Sequence, residues 1–256
     1  MTFLISFEER LQASIKLVLN QSMRTSLIAK GKQLQLPRLT LRLQSNQIKY
    51  RSPIALYLAG KQSYFAPQIA AEIIAGLEQQ IPPNLAYIRC FPPAWLEFAL
   101  TEETVHNWLA EGLQSIVPLT HSLPCPETIH SFGQYVRDRC WQLVQLGVQE
   151  NLISIPPLSP QEKTTSLPLS RLLETQDWQF LHQLILTRDR LEKVASPQER
   201  EKLADQLSTS FCEFHRYCQL FNRQQPHFDQ LVFIRLSAIV MTERLLSYLE
   251  DDSLYL

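Results

Sequence analysis

The chain has 256 residues, 45% of them apolar and 19% charged, with 24 Lys/Arg and 25 Asp/Glu for a net charge of −1. That is enough to bury a core and to form two modest domains, the profile expected of a soluble globular protein. Six glycines against sixteen prolines, with neither GxGxxG nor GxxxxGK[ST], nearly exclude a glycine-rich nucleotide loop. The longest apolar stretches, Leu231–Ile234 and Leu236–Met241, are separated by Arg235 and fall short of a membrane span. Met1–Phe7 is apolar, but Glu8 and Glu9 follow and no basic region precedes it, so no secretory signal is read and a cytoplasmic location is expected. The cysteines, Cys90, Cys125, Cys140, Cys212 and Cys218, are odd in number and scattered, as reduced thiols are.

In chain order, Phe7–Asn20 places Leu11, Ile15, Leu17 and Val18 close to helical spacing and predicts an amphipathic helix. Leu36–Leu43 alternates Leu39, Leu41 and Leu43 with Arg38, Thr40 and Arg42, a period of two that predicts a strand with leucines on one face and cations on the other. Ser52–Gly60 and Pro67–Gln79 read as helices. Asn84–Cys90 and Trp95–Leu100 read as strands joined by Phe91-Pro92-Pro93-Ala94, and Thr101 can cap a helix through Gly112. Between Glu9 and Glu72 there is no acidic residue but there are ten cations: Arg10, Lys16, Arg24, Lys30, Lys32, Arg38, Arg42, Lys49, Arg51 and Lys61. Such polarised charge suits a polyanion touching one part of the surface. It equally suits a solvated surface whose acidic neighbours come from elsewhere in the fold.

Prolines gather at Ile116–Thr128 and Ile155–Pro168, two candidate joints, and the first sets a domain boundary near residue 120. Beyond it the pattern is helical: about Glu127 to Gln149, Leu169–Leu186 with a further turn or helix to Val194, a helix from Ser196 to about Phe221, and a last one from Asp229 through Leu249. Ser196-Pro197-Gln198-Glu199 places a capping hydroxyl, a proline in the first turn and a glutamate three residues on, as in a capping box. The expected architecture is an α+β N-terminal domain, a small antiparallel sheet with helices, over 1–119, followed by an all-α helical bundle over 120–256.

Tyr50-Arg51-Ser52-Pro53-Ile54-Ala55-Leu56-Tyr57-Leu58-Ala59 is similar to the D-Y-x-[ST]-N-x-A-x-x-L-A segment of the N-terminal additional domain of arginyl-tRNA synthetases. Ala66-Pro67-Gln68-Ile69-Ala70-Ala71-Glu72-Ile73-Ile74 resembles that domain's P-x-x-I-A-x-x-I helix, and Pro93-Ala94-Trp95-Leu96-Glu97-Phe98 its P-G-F-I-N-F strand. The second half resembles the DALR-type anticodon-binding domain of the same enzymes. Gln134-Tyr135-Val136-Arg137-Asp138-Arg139-Cys140 is similar to its Q-Y-A-x-A-R helix start, Phe211-Cys212-Glu213-Phe214-His215-Arg216-Tyr217 to the helix leading to F-x-x-F-Y, and Arg235-Leu236-Ser237 with Val240, Leu245 and Leu246 to the R-L-x-L closing helix. The Rossmann catalytic domain that separates these parts in the synthetases, with H-x-G-H and K-M-S-K-like signatures, is missing from between them, and the DALR string itself is not present.

The resemblance implies that the first domain meets the tRNA elbow at the D-loop and the bundle meets the anticodon stem and loop. Arg38, Arg42, Lys49 and Arg51 would then position phosphates, and Trp95 would stack on a splayed base. Glu97 stands where the family has Asn or Gln; a carboxylate can accept from a base amino group but cannot donate. Tyr135 and Arg139 share the anticodon-facing side of their helix, with Arg137 pointing elsewhere and expected to pair with Asp138 or another acid. The ordinary structural alternatives are a core position for Tyr135, and for Arg235 a buried ion pair bracing helices. Cys212, His215 and Cys218 lie at helical spacing, but the set drifts around the helix and lacks a fourth metal ligand; it reads as packing. Neither His182 nor His227 has a neighbour suited to nucleophilic catalysis, and Glu102–Glu103 suit a helix start. The expectation is a noncatalytic tRNA-binding adaptor or sequestering factor for tRNA of the arginine type, without cofactor, working with tRNA and with a tRNA-modifying enzyme or other protein. A protein-interaction scaffold is the rival reading, favoured by thirteen Lys/Arg against seventeen Asp/Glu in residues 121–256. An enzyme of unfamiliar type is the third.

Overall fold

A computed structural model describes residues 6–22, 36–61, 65–114, 131–153, 167–194 and 196–250. They divide into two compact units, one ending at Val105 and the other running from His106. The first is α+β with a four-stranded antiparallel sheet, and among the described residues every element after residue 130 is a helix. The expected joint near residue 120 lies outside the described residues.

The first unit holds α1 (Phe7–Ser22), β1 (Thr40–Gln44), β2 (Gln47–Ser52), α2 (Ile54–Lys61), α3 (Ala66–Gln80), β3 (Ala86–Phe91) and β4 (Trp95–Leu100), with α4 (Glu102–Gln114) leading out of it. The sheet order is β1-β2-β4-β3. Strand β2, absent from the sequence reading, obeys the period-two rule: Ile48 and Tyr50 are buried on one face, and Lys49 and Arg51 stand on the other. It is joined to β1 by a two-residue loop in which Ser45 and Asn46 both have positive φ, 51° and 56°. Two left-handed residues give the loop the twist that a tight hairpin needs. The strand expected over Leu36–Leu43 begins at Thr40, with Arg38 and Leu39 in the approach.

Helices α2 and α3 pack on the apolar face made by Ile48, Tyr50, Leu96, Phe98 and Leu100, and α1 packs on α3. Helix α1 buries Leu11, Ile15 and Val18 and leaves Leu17 exposed, as its spacing dictates. The α1–α3 approach depends on Gly76, because a Cβ there would stand 2.5 Å from Val18 Cγ1. Thr101 caps α4 by accepting from Thr104 N at 3.1 Å and donates its hydroxyl hydrogen to the Asn84 carbonyl.

The all-helical part consists of α5 (Phe132–Gln149), α6 (Leu169–Leu172), α7 (Thr175–Leu191), α8 (Pro197–Tyr217) and α9 (Phe228–Glu250). The single helix expected over Leu169–Leu186 is two. Glu174 interrupts it as the cap of α7, its side chain accepting from the backbone of Asp177 while Asp177 accepts from Glu174 N at 2.9 Å. Ser196 caps α8 by accepting from Glu199 N at 3.3 Å, with Pro197 in the first turn. That helix closes at Tyr217, short of the expected Phe221.

Helix α9 is apolar on most sides because it is central, packing against α5, α7 and α8. The approach of α5 to α9 uses Gly147, whose Cβ would meet Leu236 Cδ1 at 2.7 Å. At the other end of α5, Ser131 caps the helix by accepting from Gln134 N at 2.9 Å and donates to Glu250 Oε1 at 2.6 Å. Phe180 stacks on Phe214 with ring centroids 4.4 Å apart, tying α7 to α8. Among the described residues no helix is long and apolar enough to cross a membrane.

Candidate nucleic-acid interface

Strand register decides which side chains share the outer face of the sheet. Thr40, Arg51, Glu97 and Arg89 lie in one row across β1, β2, β4 and β3, and Arg42, Lys49, Ala99 and Tyr87 lie in the next. Phe91 opposite Trp95 forms a third. One face therefore carries Arg42, Lys49, Arg51 and Arg89, the carboxylate of Glu97, and three aromatic residues. The opposite face is the apolar one that meets α2 and α3.

Glu97 is the centre of this arrangement. Its side chain has no exposed surface. Oε2 accepts from Arg51 Nε at 2.8 Å with Nη2 at 2.7 Å, while Oε1 accepts from Arg89 Nε at 2.7 Å and also contacts Arg89 Nη2. Lys49 Nζ stands 3.5 Å from Oε1 and donates to Gln44 Oε1 at 3.4 Å. Burial pushes the Glu97 carboxyl up, but the hydrogen bonds from Arg51 and Arg89 and the charges of Lys49 and Arg89 outweigh it, so the acid titrates below the usual glutamate value. The carboxylate is ionised at neutral pH and holds two guanidinium groups side by side. Arg51 also lies 4.6 Å over the Phe91 ring.

Of the residues singled out from sequence, Arg42, Lys49, Arg51, Trp95 and Glu97 come together on this face. Arg38 is exposed ahead of β1 and outside the strand ladder. Glu97 has both oxygens engaged by arginine, so the acceptor that sequence reasoning reserved for a base is already occupied. Sequence reasoning missed Arg89, Tyr87 and Phe91. The signal is present, since Tyr87, Arg89 and Phe91 alternate with Ala86, Ile88 and Cys90 and so share one face of the strand.

Tyr135 and Arg139 form a separate surface on α5. Tyr135 is 49% exposed rather than in the core, and Arg139 is exposed and donates to Gln142 Oε1 at 3.1 Å. Burial, and then the charge of Arg139, lower the pKa of His215 on α8. Arg137 points elsewhere, as expected, with Asp138 at 3.9 Å and Glu250 at 3.6 Å.

Arg235 is a buried brace. Its Nε and Nη2 donate to Asp177 Oδ1 and Oδ2 at 2.8 and 3.0 Å, and Nη1 reaches Gln225 Oε1 at 3.3 Å. Cys218 lies against the same carboxylate, its Sγ 3.6 Å from Oδ1, and burial with the Asp177 charge pushes the thiol up to about 12. Cys218 is thus committed to packing, and among the described residues no group of three His, Cys, Asp or Glu stands ready to hold a metal ion. No protein-family model, curated protein or solved structure matches this chain.

Proposed function

We propose that this chain is a noncatalytic tRNA-binding protein that works as an adaptor or sequestering factor. The observation that carries the reading is the outer sheet face, where Lys49, Arg51 and Arg89 meet the carboxylate of Glu97, Arg42 lies in the adjacent row, and Tyr87, Phe91 and Trp95 share the same side. A face of this composition attracts phosphate and offers rings to unpaired bases. The arginyl-tRNA synthetase resemblance supplies the choice of tRNA, with the sheet at the elbow and the α5 surface of Tyr135 and Arg139 at the anticodon arm. Two linked weak contacts reinforce each other through effective concentration, so an overall basic chain is not required.

The test is a titration of the purified protein with total tRNA across a salt series, beside a variant carrying Arg38→Glu and Arg42→Glu. Tight binding with a steep salt slope, weakened at least tenfold in the variant, supports the reading. Lack of binding at low salt, or equal weakening by control charge reversals at the exposed Arg190 and Lys193, removes it.

One observation favours the protein-interaction reading. The helical half has an acidic balance, thirteen Lys/Arg against seventeen Asp/Glu over residues 121–256, and exposes Phe132, Tyr135, Leu146 and Tyr217. Such a surface suits a protein partner better than an RNA backbone.

A further inference from the structure

We infer that Arg89, held by Glu97, is a phosphate contact on the sheet face, and that Glu97 is a positioning residue that does not touch the RNA. The inference rests on the RNA-binding reading and specifies what that face recognises: the phosphodiester backbone, without regard to base.

The geometry separates the two roles. A residue that reads a base needs a free polar edge in reach of solvent, and Glu97 has neither, because its side chain is fully covered and both oxygens take arginine hydrogen bonds. Arg89 is the opposite case: it sits on edge strand β3, its side chain is 58% exposed, and Glu97 engages only its Nε and Nη2. Among the described residues its Nη1 has no acceptor, and the same is true of Arg51, whose side chain is 16% exposed. A guanidinium fixed along one edge retains donors along the others, in a plane set in advance, which is the form in which arginine binds phosphate well.

Charge points to the same ligand. With Arg42 and Lys49 in the adjacent row, the face holds four cations against the single carboxylate of Glu97. The surplus of three fits a chain of phosphates. Lys49 is nearly covered and serves Glu97 and Gln44, so the donors that reach outward come chiefly from Arg89 and Arg42.

The experiment is fluorescence anisotropy with short poly(U) and poly(A) oligonucleotides and with total tRNA, over a salt series, on the full chain and on Arg89→Gln and Glu97→Gln. For Arg89→Gln the expected result is a several-fold loss of affinity for all three RNAs, with the slope of log K against log salt reduced by about 0.7 to 0.9, the contribution of one phosphate. Glu97→Gln makes the protein more positive, so a mere change of charge would tighten binding. Positioning predicts weaker binding, because Arg51 and Arg89 lose their anchor. Circular dichroism checks the fold of each variant, and should Glu97→Gln fail to fold, exposed Arg89 still decides.

Unchanged affinity and slope for Arg89→Gln, beside a wild type that binds tRNA, overturns this inference and leaves the functional reading standing. Tighter binding by folded Glu97→Gln, or a new preference between poly(U) and poly(A), overturns the role given to Glu97. Polyglutamate that binds as tightly as RNA overturns the assignment to phosphate. A wild type that binds none of the RNAs overturns both this inference and the functional reading.

Discussion

Removing either partner of the Arg235–Asp177 pair should cost far more stability than removing both. Each side chain is about 2% exposed, and the pair is joined by two charge-assisted hydrogen bonds of 2.8 and 3.0 Å. Asp177→Asn leaves the Arg235 guanidinium buried without its counter-charge, and Arg235→Met leaves the carboxylate in the same position. Breaking a buried pair from one side costs about 3–5 kcal/mol, a large part of the roughly 5–15 kcal/mol that holds a protein folded. Asparagine keeps an acceptor for Glu174 N, so the α7 cap survives in that variant and the loss reports the charge. In the double variant neither ion is stranded, and the total should fall about 2 kcal/mol or more below the sum of the singles. Urea unfolding of the four proteins, followed by far-ultraviolet circular dichroism, measures each midpoint and slope. Additivity within about 0.5 kcal/mol, or either single change costing under about 1 kcal/mol, would refute the argument that each ion is buried at the expense of the other.

Gly76→Ala should lower stability by about 1–2 kcal/mol despite alanine's better helix propensity, because the new methyl runs into β-branched Val18. Gly60→Ala in α2, with open space around the added carbon, should instead gain up to about 1 kcal/mol, and thermal melts of the two compare them directly. Glu243→Gln should stabilise the protein at pH 7 but hardly at pH 4. Burial raises the Glu243 carboxyl pKa more than Arg137 and Arg244 lower it, so its contribution is present in full below the ordinary glutamate value and is lost as pH rises through the elevated one. Unfolding midpoints across that range that move in parallel for wild type and variant would contradict this.

The helices were legible because their apolar spacing is long and regular, as in α1 with Leu11, Ile15 and Val18 and in α9 with its near-continuous apolar run. The break between α6 and α7 was not, because Glu174 and Asp177 act as a reciprocal cap although neither belongs to the Ser/Thr–Glu pattern that marks most helix starts. Strand β2 was hidden for a related reason: its turn is Ser45-Asn46 rather than a glycine pair, and Lys49 and Arg51 dilute its apolar character. The brace role weighed for Arg235 holds, but its partner lies 58 residues away, a distance that local patterns do not bridge. Much the same applies to the candidate interface. Arg42, Lys49, Arg51, Trp95 and Glu97 were each visible as residue types, while the arginine pair across Glu97 exists only once β2, β4 and β3 lie in register.

The hydroxyl of Ser131 and the carboxylate of Glu250 meet across 119 positions of chain, so the first and last helices of the all-α region share a clasp at one end. On the ribosome α5 is made long before α9, and until α9 emerges the side chains of Val136, Cys140, Leu143 and Val144 await most of their cover. The nascent chain must carry that greasy strip through the synthesis of α6, α7 and α8, a window in which a holding chaperone would have something to grip.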